Sequence, residues 1–368
     1  MKIAIVHDYL NQYGGAERVV EVLNEIFPDA PIYTSIYLKD SMPAIFKSMD
    51  IRVSFMQKFP LLKKHFKKYL LFYPKAIESL NLKEFDLIIS SSSAFAKGAV
   101  PAKRACHICY CYAPMRFVWD YNNYIKNENF DKLTLKFLTL MLGRLKKWDI
   151  KSNKRINYFI AISKNIKNKI NNFYFREADY IYPPVECSKF NISDKTDDYF
   201  LIVSRLNTYK NIDLVIKYFN HHSNLRLKIV GTGPYRDYLV NMCTSQNIEF
   251  LNRVSDEDLK NIYCHCRAFI FPGEEDFGIA PLEAQASGRP VIAYAAGGAL
   301  ETIIENETGI FFSENTVDSF NKAINEFLKK EGSFNPEKIR QNALKFDKEI
   351  FKVNFKSLVL QKYQEFLS

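Results

Sequence analysis

The sequence lacks an apolar run long enough to cross a membrane. The longest, around Leu133 to Leu142, is broken by Lys136 and falls well short of the roughly 20 residues a helical span needs. The amino terminus, M-K-I-A-I-V-H-D-Y, turns polar early and offers neither an h-region nor a small-residue cleavage site, so no signal peptide is expected. Seven cysteines is an odd and ordinary number for 368 residues. C-H-I-C-Y-C from Cys106 and Cys264-His265-Cys266 fit no common zinc spacing and lie in or beside apolar segments, so reduced, buried thiols in a cytoplasmic protein are expected. No G-x-G-x-x-G is present: G-T-G-P-Y-R, Gly231 to Arg236, lacks the third glycine, and the acid about 20 residues on, Glu249, falls in a strand-like segment. A hydride-transfer enzyme is therefore a poor fit. No Asp-x-Asp pair of the kind that holds a metal against a nucleotide diphosphate is read, and no metal or cofactor is expected. Zinc-finger, basic-zipper and RNA-recognition signatures are missing too, which argues against a nucleic-acid partner.

What the chain does have is hydrophobic content for two cores, 47%, and a net charge of +10, which calls for an anionic partner. Between Phe55 and Ala76 there are six lysines and no acid. At helical spacing Leu62, Phe66, Tyr69, Leu70 and Tyr73 share one face, with Lys63, Lys64, Lys67 and Lys68 opposite. This predicts a basic amphipathic helix lying on an anionic membrane surface, the alternative being a surface helix with a solvated lysine face.

Short Ile- and Val-rich runs alternate with helix-like segments through both halves, which predicts an α/β fold with two doubly wound parallel sheets. The expected division is a first domain over 1–185, a polar, proline-marked linker over 186–198 and a second domain over 199–346. Ligands are expected in the crevice beyond the strand ends, with a cleft between the domains.

The most informative stretch is E-E-D-F-G-I-A-P-L-E-A, Glu274 to Ala284. On one continuous helix Glu275 and Glu283 would lie roughly 12 Å apart, too far for a proton-transfer pair. Pro281 instead predicts a helix starting near Ala280 or Pro281, with Glu275 in the preceding loop and Glu283 in the first turn. The unpaired amides between them would cradle a phosphate, and the two acids would read hydroxyls on either side of it. S-R-L-N-T-Y-K-N, Ser204 to Asn211, adds Arg205 and Lys210 after a strand, cations suited to a diphosphate leaving group. N-Q-Y-G-G-A-E-R, Asn11 to Arg18, places Gly14 and Gly15 between strand and helix, either as a close approach to an anion or as a plain tight turn.

These segments resemble retaining glycosyltransferases of family 4, which have the GT-B fold. The resemblance rests on Glu275-x7-Glu283, V-S-R-L-N-x-Y-K-N, G-T-G-P, V-S-D-E-D-L and G-G-A-L-E-T. H-D-Y-L-x-x-x-G-G-A-E-R-V, C-Y-C-Y-A-P-M-R-F-V-W-D, F-I-A-I-S and Y-P-P-V resemble the WbaZ-type branch, bacterial mannosyltransferases of polysaccharide assembly. The resemblance implies that Arg205 and Lys210 hold the donor diphosphate with Ser204 nearby, that Glu283 reads the ribose and Glu275 the sugar, and that the amides of Phe277, Gly278, Ile279 and Ala280 line sugar and phosphate. It implies a base contact at Arg253 and Val254, closure of Gly14 and Gly15 on the phosphates, and a last helix, about 347–368, returning to the first domain. It further implies a nucleotide-sugar donor, GDP-mannose before a UDP-sugar, no metal requirement, and a glycan acceptor linked to undecaprenyl diphosphate. The place implied is the inner face of the cytoplasmic membrane, in assembly of O-antigen, capsule or another surface polysaccharide. Where the branch reads C-Y-C-H-T-P-M-R, this chain has Tyr112 and Ala113, and a phenol cannot carry a proton near neutrality as an imidazole can. Asp8, Tyr112 and Arg116 are the expected donor-sugar or acceptor contacts, and His107 is expected in the core. The competing readings are a GT-B epimerase or phosphorylase and a non-catalytic carbohydrate- or membrane-binding protein.

Overall fold

The computed structural model describes residues 1–120 and 132–368. The chain divides into two compact units, one of residues 1–182 with 351–368 and one of residues 183–350.

The first unit holds a seven-stranded parallel sheet. Its strands are β1 Ile3–His7, β2 Ile32–Thr34, β3 Ile51–Val53, β4 Leu87–Ser92, β5 Cys106–Cys111, β6 Tyr158–Ala161 and β7 Ala178–Tyr180, in the order β3-β2-β1-β4-β5-β6-β7. β4 and β5 are buried along their whole length, as a sheet covered on both faces requires. The carboxy-terminal helix Lys348–Leu367 packs on this sheet through Phe351 and Phe355, whose rings lie 5.8 and 5.3 Å from Tyr110.

The second unit holds a six-stranded parallel sheet of β8 Phe200–Val203, β9 Leu227–Val230, β10 Ile248–Asn252, β11 Phe269–Phe271, β12 Val291–Tyr294 and β13 Gly309–Phe312, in the order β10-β9-β8-β11-β12-β13. Residues 183–198 are tied to it. The Val185 amide donates to the Phe346 carbonyl (3.0 Å), and the Arg289 guanidinium donates to the Ser193 and Lys195 carbonyls (2.8 and 2.9 Å).

The basic segment is not one helix. A 3-10 turn at Phe55–Lys58, a single turn at Leu62–His65, a 3-10 stretch at Phe66–Phe72 and a helix at Tyr73–Glu78 follow one another. Pro60 drives Phe59 into extended backbone, Leu61 takes a left-handed φ of 50°, and Tyr69 leaves helical geometry, the first of these being what a following proline imposes. The inward face survives the breaks: Leu62 and Tyr73 are buried, with Phe66, Tyr69 and Leu70 half-buried.

Six of the seven cysteines are buried and all are unpaired thiols. A buried ion pair joins Lys97 to Asp149 (2.6 Å), with Trp119 and Tyr174 donating to the same carboxylate (2.7 and 2.8 Å). Burial alone would lower the Lys97 ammonium's pKa; Asp149 beside it raises it well above the ordinary lysine value. Complete pairing is what makes such a charge tolerable, since removing one partner strands the other.

His107 lies in β5, fully buried, with Nδ1–H donating to the Arg155 carbonyl (3.2 Å) and Nε2 accepting from the Ser90 hydroxyl (2.8 Å). Both bonds suit a neutral ring. Burial lowers its pKa from 6.5 to about 4, against the Arg155 carbonyl bond that raises it. A depressed folded-state pKa leaves stability intact above pH 6.5 and removes it as pH falls toward 4, because only the unfolded chain takes the proton. Urea unfolding should therefore show about 3 kcal/mol of stability lost between pH 6.5 and 4 in the natural chain that His107→Gln does not lose. Equal pH slopes in the two proteins would contradict a depressed His107 pKa in the folded state.

Candidate active site

In the second unit the strand order reverses between β8 and β11, and at that switch point the loops following two neighbouring strands run in opposite directions and leave a crevice. The β8 loop supplies Ser204, Arg205 and Lys210; the β11 loop supplies Glu274 to Gly278. Across the crevice Lys210 Nζ donates to Glu275 Oε1 in a partly buried ion pair, with the ammonium 5.1 Å from the Tyr209 ring centre. The Arg205 side chain, on the same β8 loop, is exposed.

Three contacts at which a side chain would not fit fix this crevice. A Cβ on Gly273 would lie 2.9 Å from Lys210 Cα, one on Gly297 would lie 2.2 Å from the Glu275 carbonyl oxygen, and one on Gly298 would lie 2.2 Å from the Phe277 carbonyl oxygen. The Gly298 amide donates to that Glu275 carbonyl (2.8 Å), and Asn211 Nδ2 donates to the Pro272 carbonyl (3.4 Å). The loops after β8, β11 and β12 are thus held against one another by backbone.

The helix begins at Ile279, just before the expected start at Ala280 or Pro281, because Gly278 at φ 92° turns the chain into it. This moves Glu283 past the first turn. Its carboxylate is buried and accepts from the Tyr263 hydroxyl (2.9 Å). The Phe277 side chain is buried against Phe346, ring centres 5.9 Å apart. The first amides of the Ile279–Ala286 helix have no intrahelical acceptor and stand at the end of β11, beside Glu275. Arg253 is exposed and Val254 half-buried, both beyond β10 at the sheet edge, where the Gly231 amide donates to the Asn252 carbonyl (2.6 Å). Asp256 and Asp258 have Asp-x-Asp spacing, but they open the Asp256–His265 helix, where Ser255 caps the Asp258 amide (3.1 Å).

The first unit corrects one expectation and redirects two. Asp8 is 1% exposed, and its two oxygens accept from Ser93 (amide and hydroxyl), Ala94, Phe95 and Ala96 at 2.6 to 3.0 Å. It organises the loop after β4 and has no capacity left for a sugar. The Gly14 amide, expected to face an anion, donates to Glu17 Oε2 (2.9 Å) at the start of the Gly15–Ile26 helix. Glu17 Oε1 lies 3.9 Å from His7 Nε2. The Tyr112 hydroxyl donates to the Ala16 carbonyl (3.2 Å) and meets Ser91 Oγ at 2.8 Å, so it braces the same turn from beneath. Arg116 is exposed at the start of the Arg116–Trp119 helix.

Sequence reasoning missed Gly273, Gly297, Gly298 and Tyr263. The glycines stood in view in P-G-E-E and A-G-G-A; what hid their role is that close approach is a property of loops brought together from different strands. Gly298→Ala should lower stability by about 1–3 kcal/mol, the usual range for forcing extra volume into a packed site. Gly143→Ala, with nothing within 4 Å of its Cβ in the Lys132–Ser152 helix, should be neutral or stabilising. Equal thermal midpoints for the two variants would refute the pinning.

Residues 186–346 match the family described as Glycosyl transferases group 1. Among curated proteins, the chain is 35% identical over 139 residues to a GDP-mannose-dependent monoacylated alpha-(1-6)-phosphatidylinositol monomannoside mannosyltransferase of Corynebacterium glutamicum, covering 34% of this chain and 36% of that protein. It is 31% identical over 152 residues to the O-antigen chain mannosyltransferase RfbU of Salmonella typhimurium, covering 38% and 43%. The matches span half or less of the length of these curated relatives. Among solved structures, sucrose-phosphate synthase from Thermosynechococcus elongatus superposes with a TM-score of 0.78 at 14% identity over 99% of this chain and 100% of that one. Anabaena HepE in complex with UDP and glucose superposes at 0.76 and 16% identity over 98% and 100%. The chain thus has two parallel-sheet α/β units with the GT-B fold of these structures, and its residues 186–346 match the glycosyl transferases group 1 family.

Proposed function

We propose that the chain is a retaining, metal-independent glycosyltransferase that moves a sugar from a nucleotide-sugar donor, GDP-mannose foremost, to a glycan linked to undecaprenyl diphosphate. The observation that carries this reading is the Lys210–Glu275 pair at the β8/β11 switch point, beside the start of the Ile279–Ala286 helix. A cation and the first amides of a helix there suit a diphosphate, and a carboxylate suits the hydroxyls of the sugar attached to it. Mannosyltransferase relatives support the donor; HepE, solved with UDP and glucose, supports the UDP-sugar alternative.

In this reading Lys210 and Arg205 neutralise the diphosphate as the bond from the anomeric carbon to the phosphate oxygen breaks. The acceptor hydroxyl forms its bond to the same carbon on the same face, and its proton passes to the leaving phosphate oxygen. Glu275 orients the sugar, Glu283 the ribose, and Arg253 and Val254 flank the base. Ser204 and the amides of Phe277 to Ala280 complete the donor site. Lys63, Lys64, Lys67 and Lys68 hold the protein to the inner face of the cytoplasmic membrane, where O-antigen or capsule precursors are extended.

The test is transfer of radiolabelled sugar from GDP-mannose and from UDP-glucose to an undecaprenyl-diphosphate-linked oligosaccharide, with the anomeric configuration of the product read by proton NMR. Transfer with retention, reduced on the order of a hundredfold by Glu275→Gln, is expected. Donor consumed without acceptor would indicate an epimerase or hydrolase, and no turnover with donor bound would indicate a binding protein.

A further inference from the structure

The Lys132–Ser152 helix contains a single acid, Asp149, and that acid is buried against Lys97. Its outward residues are Leu140, Arg144, Lys147, Ile150 and Lys151, followed by Lys154, all exposed. Leu140 and Ile150 are 56% and 47% exposed, so the stripe alternates basic heads with bare aliphatic side chains.

This helix lies beside the basic segment of residues 55–78. Trp148 Nε1 donates to Glu78 Oε1 (2.9 Å), and Arg155 pairs with the same carboxylate (2.8 Å). Leu142 and Leu145 from the helix share one hydrophobic cluster with Leu62, Tyr73, Ala76 and Ile77 from the segment and with Ala4, Val6 and Ile88 from β1 and β4. Both elements therefore cover the same face of the sheet, and their outer surfaces look away from it in the same direction. The outer surface of the segment carries Lys58, Lys63, Lys64, Lys68 and Lys75 beside Leu61 (66% exposed), Leu71 and Phe72 (48%).

We infer that the outward stripe of the Lys132–Ser152 helix is a second membrane-contact element, continuous with the basic segment, and that the two form one docking surface for anionic lipid headgroups. The inference deepens the membrane reading above. Charge complementarity selects an anionic partner, because the two elements expose many cations while their two acids, Glu78 and Asp149, are both held in ion pairs within the fold. The interleaved Leu61, Leu71, Phe72, Leu140 and Ile150 select a lipid surface over a polyanion in water, since bare aliphatic and aromatic side chains gain by entering the headgroup and acyl boundary. Each lysine or arginine near such a surface adds to binding and loses its effect within a Debye length.

The experiment is co-sedimentation of the full chain with vesicles of phosphatidylcholine alone and with about 30 mol% phosphatidylglycerol added to give an anionic surface, against an RNA of equal charge. Two variants are compared: Arg144→Gln/Lys147→Gln/Lys151→Gln, and Lys63→Gln/Lys64→Gln/Lys68→Gln. The expected result is binding to the anionic vesicles only, reduced tenfold or more by either variant with thermal midpoints unchanged. Loss in the segment variant alone would overturn the assignment of the second helix and leave the first reading standing. Loss in the helix variant alone would sink the first reading. Binding of RNA in preference to vesicles, or no vesicle binding by the natural chain, would overturn the surface as a whole.

Discussion

The site depends on a steric constraint: at Gly273, Gly297 and Gly298 there is no room for a side chain, because backbone from another loop occupies the position a Cβ would take. Parallel strands deliver their loops to one edge, but that alone leaves the loops after β8, β11 and β12 to find their own positions. Backbone against backbone removes that freedom, and the Gly298 amide adds a hydrogen bond to Glu275. Lys210 and Glu275 come from sequence positions 65 residues apart and face each other because the loops carrying them are fixed at their bases. The chain has 13 glycines in 368 residues, about half of average usage, so three of them within this small region mark where the fold could not substitute another residue.

The two units solve the same problem by different chemistry. In the second, contact between loops is steric and the charged groups are left at the crevice. In the first, charge itself does the organising: Asp8 gathers the loop after β4, Glu17 takes the Gly14 amide, and Tyr112 braces Ala16. A carboxylate at the Gly15–Ile26 helix start occupies the place an anionic ligand would take, so closure on a phosphate there would require Glu17 to release Gly14.

Much of the architecture was legible because strand-like runs of Ile and Val between amphipathic segments leave few alternatives to parallel sheets. The Glu275 loop and the helix after it were legible to within two residues, from Pro281. The basic segment is not the continuous helix that its lysine spacing implies, because Pro60 breaks it, yet the inward face still packs as the spacing implies. Asp8 departs from expectation for a different reason. A carboxylate at a strand end looks the same in sequence whether it meets a ligand or five donors from a neighbouring loop, and only the fold tells which. The pairing of Lys210 with Glu275 is likewise invisible in sequence, since the two lie in separate stretches.

The central claim is that the β8/β11 crevice holds the diphosphate of a sugar nucleotide through Lys210 and Arg205. The most direct measurement is isothermal titration of the full chain with GDP-, UDP-, dTDP- and CMP-sugars in metal-free buffer, repeated with Arg205→Ala. Selective binding of one nucleotide class, weakened tenfold or more by the substitution, is the predicted result. Equal affinity in both proteins, or no binding by the folded natural chain, would contradict it.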